Sequence, residues 1–253
     1  MAKVSVIIPC YNQEEYLKDA LNSLCGEFKD FEVIVVNDGS TNENAFEKIE
    51  SICSEFNDLD IKLINQENQG VCIARNNAIK KASGKFIMPL DADDMISNEY
   101  LQKGSEILDK NNDIGIVYCE AEFFGIKSGK FNLAKPTIIN MLSQNRIFNS
   151  AMYRKSDWQL VGGYNPRMQE GCEDWDFWLS LIEKNCKIYK IKEVLFKYRQ
   201  FDISREKSAL NFKNYFNIRK KIIKNHKKLY LKYNLIVLIP LFARILKEFI
   251  CRR

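Results

Sequence analysis

The stretch Phe86-Ile-Met-Pro-Leu-Asp-Ala-Asp-Asp94 decides the fold: a short apolar run, Phe86 to Leu90, breaks directly into three carboxylates. A run of that length reads as a buried strand. Three earlier runs behave alike. Val4-Ser-Val-Ile-Ile-Pro9 is read as a strand stopping at its proline. Phe31 to Val36 is a second strand, followed by the turn Asn37-Asp38-Gly39-Ser40, and Ile61 to Ile64 is a third. Helical patterns lie between them. Asn12 is placed to cap a helix carrying Glu15 and an apolar repeat at Leu17, Ala20, Leu21 and Leu24. A helical stretch ends near Phe56, and another runs from Val71 to Ala82 with Gly84 as its C-terminal stop. Strands alternating with helices imply βαβ units and a mainly parallel sheet flanked by helices, an α/β fold. Ligands bind such sheets beyond the carboxyl ends of the strands. Cys10-Tyr11-Asn12, Asn37-Asp38-Gly39 and Asp91 to Asp94 are polar clusters at three such ends.

The pattern loosens after residue 100. Leu101 to Leu108 reads as a helix, Ile114 to Tyr118 as a strand, and residues 121–153 as short strands and turns. Asp174 to Glu183 is an aromatic-rich helix, and Lys187 to Tyr198 is one strand or two. From Ala209 onward the chain is helical and basic. There is no internal repeat and no low-complexity tract.

At 253 residues and 46% hydrophobic content, the chain supports a sizeable core rather than global disorder. A net charge of +5 with interleaved acids and bases does not point to nucleic acid. The excess is local: Arg219, Lys220, Lys221, Lys224, Lys227, Lys228 and Lys232 cluster, and Arg252 and Arg253 follow. Eight cysteines form no C-x-x-C pair, and His226 is the only histidine, which argues against a Cys/His zinc site and for a reducing compartment. Val4 to Ile8 is too short for the core of a signal peptide. Leu235 to Arg244 is apolar but shorter than the ~20 residues a membrane span requires. With the lysines before it, it reads either as a segment lying on an anionic membrane surface or as a helix packed back on the domain. His226 is read as sitting in a solvated helix.

Each cluster admits a structural and a chemical reading. Three carboxylates at a strand end repel one another, and a hard cation with oxygen ligands, Mg²⁺ or Mn²⁺, relieves that repulsion. The alternative is a helix N-cap with an acidic first turn. Asp38 suits either an Asx turn or acceptance of a base N–H, with Gly39 permitting the tight turn. Tyr11 suits a half-buried loop or a stacking platform. Glu173-Asp174 opens an amphipathic stretch, and Asp174 and Trp178 lie four residues apart on one helix face. An acid beside an aromatic suits a sugar hydroxyl; a capped core helix fits the same spacing.

Together the strings Val4 to Asn12, Glu32 to Thr41, Asn68-Gln-Gly-Val-Cys-Ile-Ala-Arg-Asn76, Leu90 to Asp94 and Glu173-Asp-Trp-Asp-Phe-Trp178 resemble the family-2 glycosyltransferases, in the family's order, over roughly residues 4 to 200. The resemblance implies a GT-A Rossmann-like fold over residues 1–205, divided into a nucleotide-binding half (1–100) and an acceptor-binding half (101–205). Residues 206–253 would form a basic helical extension. It implies a nucleotide-sugar donor, a UDP-sugar first among candidates, a divalent cation (Mn²⁺ or Mg²⁺), and a glycan or lipid-linked acceptor. It implies inversion at the anomeric carbon. Pro9, Tyr11 and Asp38 would hold the nucleobase, Arg75 and Asn76 would lie along the nucleotide, and Asp91 would contact ribose. Asp93 would ligate the metal with Asp94 supporting. Asp174 would be the base, with Glu173 and Trp178 lining the pocket. Many relatives carry a histidine near Phe201; here Arg199 is left to meet the diphosphate. Two other readings are a nucleotidyltransferase and a non-catalytic sugar-binding relative. The first lacks a Gly-rich basic loop after the first strand, and retention of Asp38, Asp91, Asp93 and Asp174 speaks against the second. The expected location is the cytoplasm, peripheral to the inner face of the cell membrane through residues 219–253, in a surface-polysaccharide assembly role.

Overall fold

The computed structural model describes residues 2–201 and 212–233. Nine strands among them form one sheet: β1 (Val4–Cys10), β2 (Phe31–Asp38), β3 (Ile61–Gln66), β4 (Phe86–Pro89), β5 (Met95–Ile96), β6 (Ile114–Gly125), β7 (Gly129–Phe131), β8 (Met152–Arg154) and β9 (Lys187–Gln200). Nine helices accompany them: α1 (Glu14–Ser23), α2 (Ala45–Ser54), α3 (Val71–Lys81), α4 (Asn98–Lys110), α5 (Ile138–Ser143), α6 (Lys155–Val161), α7 (Glu173–Glu183), α8 (Phe212–Asn225) and α9 (Lys227–Lys232).

The strand order is β3-β2-β1-β4-β8-β6-β9-β5, with β7 against β6. The first four strands are parallel. β8 enters antiparallel to both β4 and β6, and β9 runs parallel to β6 and antiparallel to β5. The expected parallel sheet is therefore the half built from residues 4–89, and the other half is mixed. β1, β2 and β4 are buried along their whole length, as strands covered on both faces are. β1 carries on through Pro9 to Cys10 rather than stopping there.

The lower end of the parallel half is tied by one buried acid. Glu32 Oε1 accepts from Ser5 Oγ (2.6 Å) and from the Ser83 N–H and hydroxyl, and Glu32 Oε2 accepts from Lys62 Nζ (2.5 Å). Gly84 belongs to this knot and does not terminate a helix. α3 ends on Ala82 in extended conformation, and a Cβ on Gly84 would lie 2.6–2.8 Å from Ser5 and Val4 atoms.

Several local expectations change. Asn12 is not the cap of α1; Gln13 precedes that helix, and Asn12 sits at φ 53°. Residues 121–153 hold a continuation of β6 and the helix α5, whose Thr137 Oγ1 accepts from Asn140 N (3.2 Å). α6 follows immediately. α8 and α9 are basic as expected, but His226 is buried, not solvated. Its Nε2 lies 3.2 Å from Asp176 Oδ1 and its Nδ1 lies 3.3 Å from Glu183 Oε1, both on α7. The apolar segment Leu235 to Arg244 and the terminal arginines lie outside the described residues. No helix among those described is long and apolar enough to cross a membrane.

Candidate active site

The register of the parallel half sets Cys10 beside Asn37 and Ile7 beside Pro89, so β1, β2 and β4 finish along one edge. Three loops leave that edge together. Asn12 laces two of them: its Oδ1 accepts from Thr41 N (2.7 Å) and Asn42 N (3.3 Å). Pro9 is buried in β1, and Tyr11 is half-buried where the first loop begins. Asp38, buried at the end of β2, accepts from Gln66 Nε2 (2.7 Å), Gln69 N (3.0 Å) and Gly70 N (3.0 Å). A carboxylate so placed satisfies amides at the N-terminus of α3, where negative charge is favoured. Its oxygens fix the entry to the helix that carries Arg75.

Arg75 is the hub. It is buried, its NH2 meets Asp91 Oδ1 at 2.6 Å, and its NH1 meets Glu173 Oε1 at 2.7 Å. The guanidinium also lies over the Tyr164 ring, 5.4 Å from the centroid. A buried cation holds its place only when paired, and these two acids do so while binding the end of β4 to the start of α7. Asn149 Nδ2 donates to the same Asp91 oxygen (3.1 Å). Asn76 faces elsewhere. Its Oδ1 accepts from Tyr164 N (2.9 Å) and Trp158 Nε1 (3.0 Å), and its Nδ2 donates to Tyr164 O (2.7 Å), which fixes the connection after α6.

Within the acidic cluster, Asp93 Oδ2 accepts from Gln13 Nε2 (2.7 Å). Asp94 is buried and accepts from Arg199 N (2.9 Å); burial first, then the charges of Asp93 and Asp91, push its carboxyl well above the usual carboxylate range. Arg199 is engaged with protein rather than pointing into open space. Its Nε donates to Asp93 O (2.8 Å) and its NH2 meets Asp19 (2.7 Å), between the rings of Tyr16 and Phe124. Phe201 packs on Tyr16, ring centroids 5.2 Å apart.

Among the described residues, no group of three or more His, Cys, Asp or Glu side chains is arranged to hold a metal. A cation can also be bound by one or two carboxylates together with substrate phosphates. The half-buried Asp93 carboxylate fits that role. A hollow of about 700 Å³ between α1 and α2 is lined by residues that include Glu14, Asn42 and Glu47 and by none of the acids of the cluster.

Gly171 (φ 118°) and Cys172 (φ 60°) turn the chain so that α7 opens on Glu173 and Asp174. Asp174 Oδ2 accepts from Asn145 Nδ2 (2.7 Å) and Oδ1 from Trp175 N (2.7 Å). Its carboxyl is pushed up to about 7, by burial and then by the charge of Glu173, against the pull of the Trp175 N–H, Arg75 and Asn145. Trp178 corrects an expectation: it is wholly buried against Tyr153 and Phe177, so its face lines no pocket. Sequence reasoning missed Gln13, Asn145 and Asn149. They are single amides in loops, and nothing in their spacing marks them.

The sequence matches the profile described as Glycosyl transferase family 2 over residues 5–166, so Glu173 and Asp174 lie beyond the matched part. An uncharacterised glycosyltransferase of Methanocaldococcus jannaschii is 30% identical over 205 residues, covering 78% of this chain and 70% of that protein. The poly(ribitol-phosphate) β-N-acetylglucosaminyltransferase TarS of Staphylococcus aureus is 27% identical over 210 residues, covering 78% of this chain but only 35% of its own length. A crystal structure of TarS in complex with UDP-GlcNAc shares the fold, with a TM-score of 0.71 at 22% identity over 88% of this chain and 66% of that one. A mannosyltransferase of Pyrobaculum calidifontis, solved with GDP-Man and Mn²⁺, does so with a TM-score of 0.65 at 18% identity over 97% of this chain and 74% of that one.

Proposed function

The chain belongs to glycosyl transferase family 2 and has the GT-A fold, and from that premise we propose that it is an inverting, divalent-cation-dependent enzyme. In this reading it moves a sugar from a nucleotide-sugar donor, a UDP-sugar first among candidates, to a hydroxyl of a glycan or lipid-linked acceptor in surface-polysaccharide assembly. The observation that carries it is the Arg75 bridge: one buried cation joins Asp91 at the end of β4 to Glu173 beside Asp174. An acid suited to the donor and an acid suited to the acceptor thereby share one rigid frame.

The proposed division of labour follows the sheet edge. Residues 1–100 form the nucleotide half, with Pro9, Tyr11 and Asp38 toward the base, Arg75 along the nucleotide, and Asp91 toward the ribose. Residues 101–205 form the acceptor half. Asp93 would hold Mn²⁺ or Mg²⁺, with Asp94 supporting it, and such an ion would offset the charge of the leaving nucleoside diphosphate. Asp174 takes the proton of the acceptor hydroxyl as that oxygen attacks the anomeric carbon from the face opposite the leaving group. A single displacement inverts the configuration. Asp174 has one donor on each oxygen, which fixes its orientation, and a carboxyl raised to about 7 is matched to proton abstraction near neutral pH.

Cytoplasmic location at the inner face of the membrane belongs to the same reading. The exposed lysines 220, 224, 227, 228 and 232 on α8 and α9 support it, since such a basic face attracts anionic headgroups.

The test is Asp174→Asn. It should leave nucleoside-diphosphate binding intact and lower transfer by roughly 10³-fold or more, as loss of an essential base does. Wild-type kcat/KM should fall on the acid side with an apparent pKa near 7, because below that the base holds its proton. Native transfer by the Asn variant would end the assignment.

A further inference from the structure

Residues 144–151 connect α5 to β8 and bring a side chain to each of the two acids, Asp174 and Asp91. The loop is anchored by apolar burial. Ile147 and Phe148 are buried, and Phe148 stacks on Phe196 with centroids 4.3 Å apart. The Ser150 carbonyl accepts from the Tyr100 hydroxyl (3.0 Å). Asparagines stand on either side of this anchor. Asn145 Oδ1 accepts from Ile147 N (3.3 Å), which leaves its Nδ2 to donate to Asp174 Oδ2 (2.7 Å); the N–H on one side dictates which end of the amide faces the carboxylate. Asn149 Nδ2 reaches Asp91 Oδ1 (3.1 Å), the oxygen that Arg75 also holds. A closed circuit results: Asp174, Asn145, the loop, Asn149, Asp91, Arg75, Glu173 and back to Asp174 along the chain.

We propose that Asn145 and Asn149 are a positioning pair, by which one anchored loop holds the base Asp174 in a fixed orientation relative to the donor-side acid Asp91. The proposal rests on the reading of Asp174 as the base. Neither amide touches the reacting atoms; each acts through the carboxylate it serves. The charged and titratable groups around the Asp174 carboxyl are Glu173 beside it, Arg75 from α3 and Tyr164 after α6. Asn145 is the side-chain amide among its donors. A hydrogen bond to the charged form favours that form, so removing Asn145 leaves the base both free to rotate and harder to ionise. Removing Asn149 leaves Asp91 held by Arg75 without its amide donor and leaves the base's own donor in place.

The test is a carboxyl-carbon NMR titration, with the Asp174 resonance identified by its absence in Asp174→Asn. In Asn145→Ala the Asp174 midpoint should move to higher pH by about one unit, and in Asn149→Ala it should stay. If the alanine variant does not fold, Asn145→Ser gives the same readout. Turnover is read as UDP release from UDP-N-acetylglucosamine with Mn²⁺. Asn145→Ala should lower kcat about tenfold or more with the donor KM held, and Asn145→Gln, which keeps an amide donor, should recover part of it. Asn149→Ala should raise the donor KM instead. An unmoved Asp174 midpoint in Asn145→Ala, or loss of activity that only follows thermal stability in both variants, overturns the proposal. If Asp174→Asn is inactive while Asn145→Ala matches wild type, the positioning pair alone falls. If Asp174→Asn turns over normally, the base assignment falls with it.

Discussion

At the scale of single residues, the half-buried acid Asp174 and the buried acid Glu32 are driven in opposite directions by the same physics. Both lose hydration. Glu32 is nevertheless lowered to about 2, because bonds from Lys62, Ser5 and Ser83 to its charged form outweigh burial, whereas Asp174 has Glu173 beside it and is raised to about 7. Glu32 therefore gives stability that is fully present above its ordinary carboxylate range and is lost as pH falls toward about 2. Replacing Glu32 by Gln should flatten the acid limb of a stability-versus-pH curve. At neutral pH the same change should cost about 2–4 kcal/mol, since Lys62 and the serine donors lose a charged acceptor. Urea unfolding of both proteins at pH 3 and pH 7 checks this, and an equal gap at the two pH values would refute it.

At the scale of elements, α8 and α9 do more than add basic surface. Lys221 reaches Arg167 O and Glu170, Asn225 and His226 converge on Asp176, and the Tyr230 hydroxyl donates to Leu142 O (2.6 Å). These contacts fall on α5, on α7 and on the connection just before Asp174. Asp176 sits in the first turn of α7, and although burial pushes its carboxyl up, bonds from His226 and Asn225 hold it below the usual range. His226→Ala takes a partner from a buried carboxylate and should lower stability by about 1–3 kcal/mol, read from denaturant unfolding. His226→Gln keeps a donor toward Asp176 and should recover part of that loss. A histidine in a run of lysines looks solvated in sequence because burial by a distant helix leaves no local trace.

At the scale of the whole molecule, the proposed function has cation and nucleotide binding as one unit, the ion held by a carboxylate and by the donor phosphates. UDP with Mn²⁺ should raise the thermal midpoint, and UDP with a chelator should not; equal stabilisation by UDP in both would remove the cation from the site. The alternation of apolar strands and helices over residues 4–94 determined the α/β class and the edge at which the polar clusters leave the sheet. This was legible because a strand buried on both faces must be apolar along its length, and a chain leaving it must turn. The strings around Asp38, Asp91 and Asp174 likewise marked the acids to which the proposed function gives roles. What the sequence did not carry was their assembly. Arg75 spanning to Glu173, Asn145 and Asn149 reaching two acids from one loop, Trp178 turned into the core and His226 buried on Asp176 all depend on segments 16 to 98 residues apart. Local patterning records which face of an element is apolar, but it does not record which polar side chain of a remote element will be packed against that face. Only the closing of the mixed half of the sheet onto the parallel half decides that, because it alone removes water from between those groups and leaves each charge to find its partner in protein.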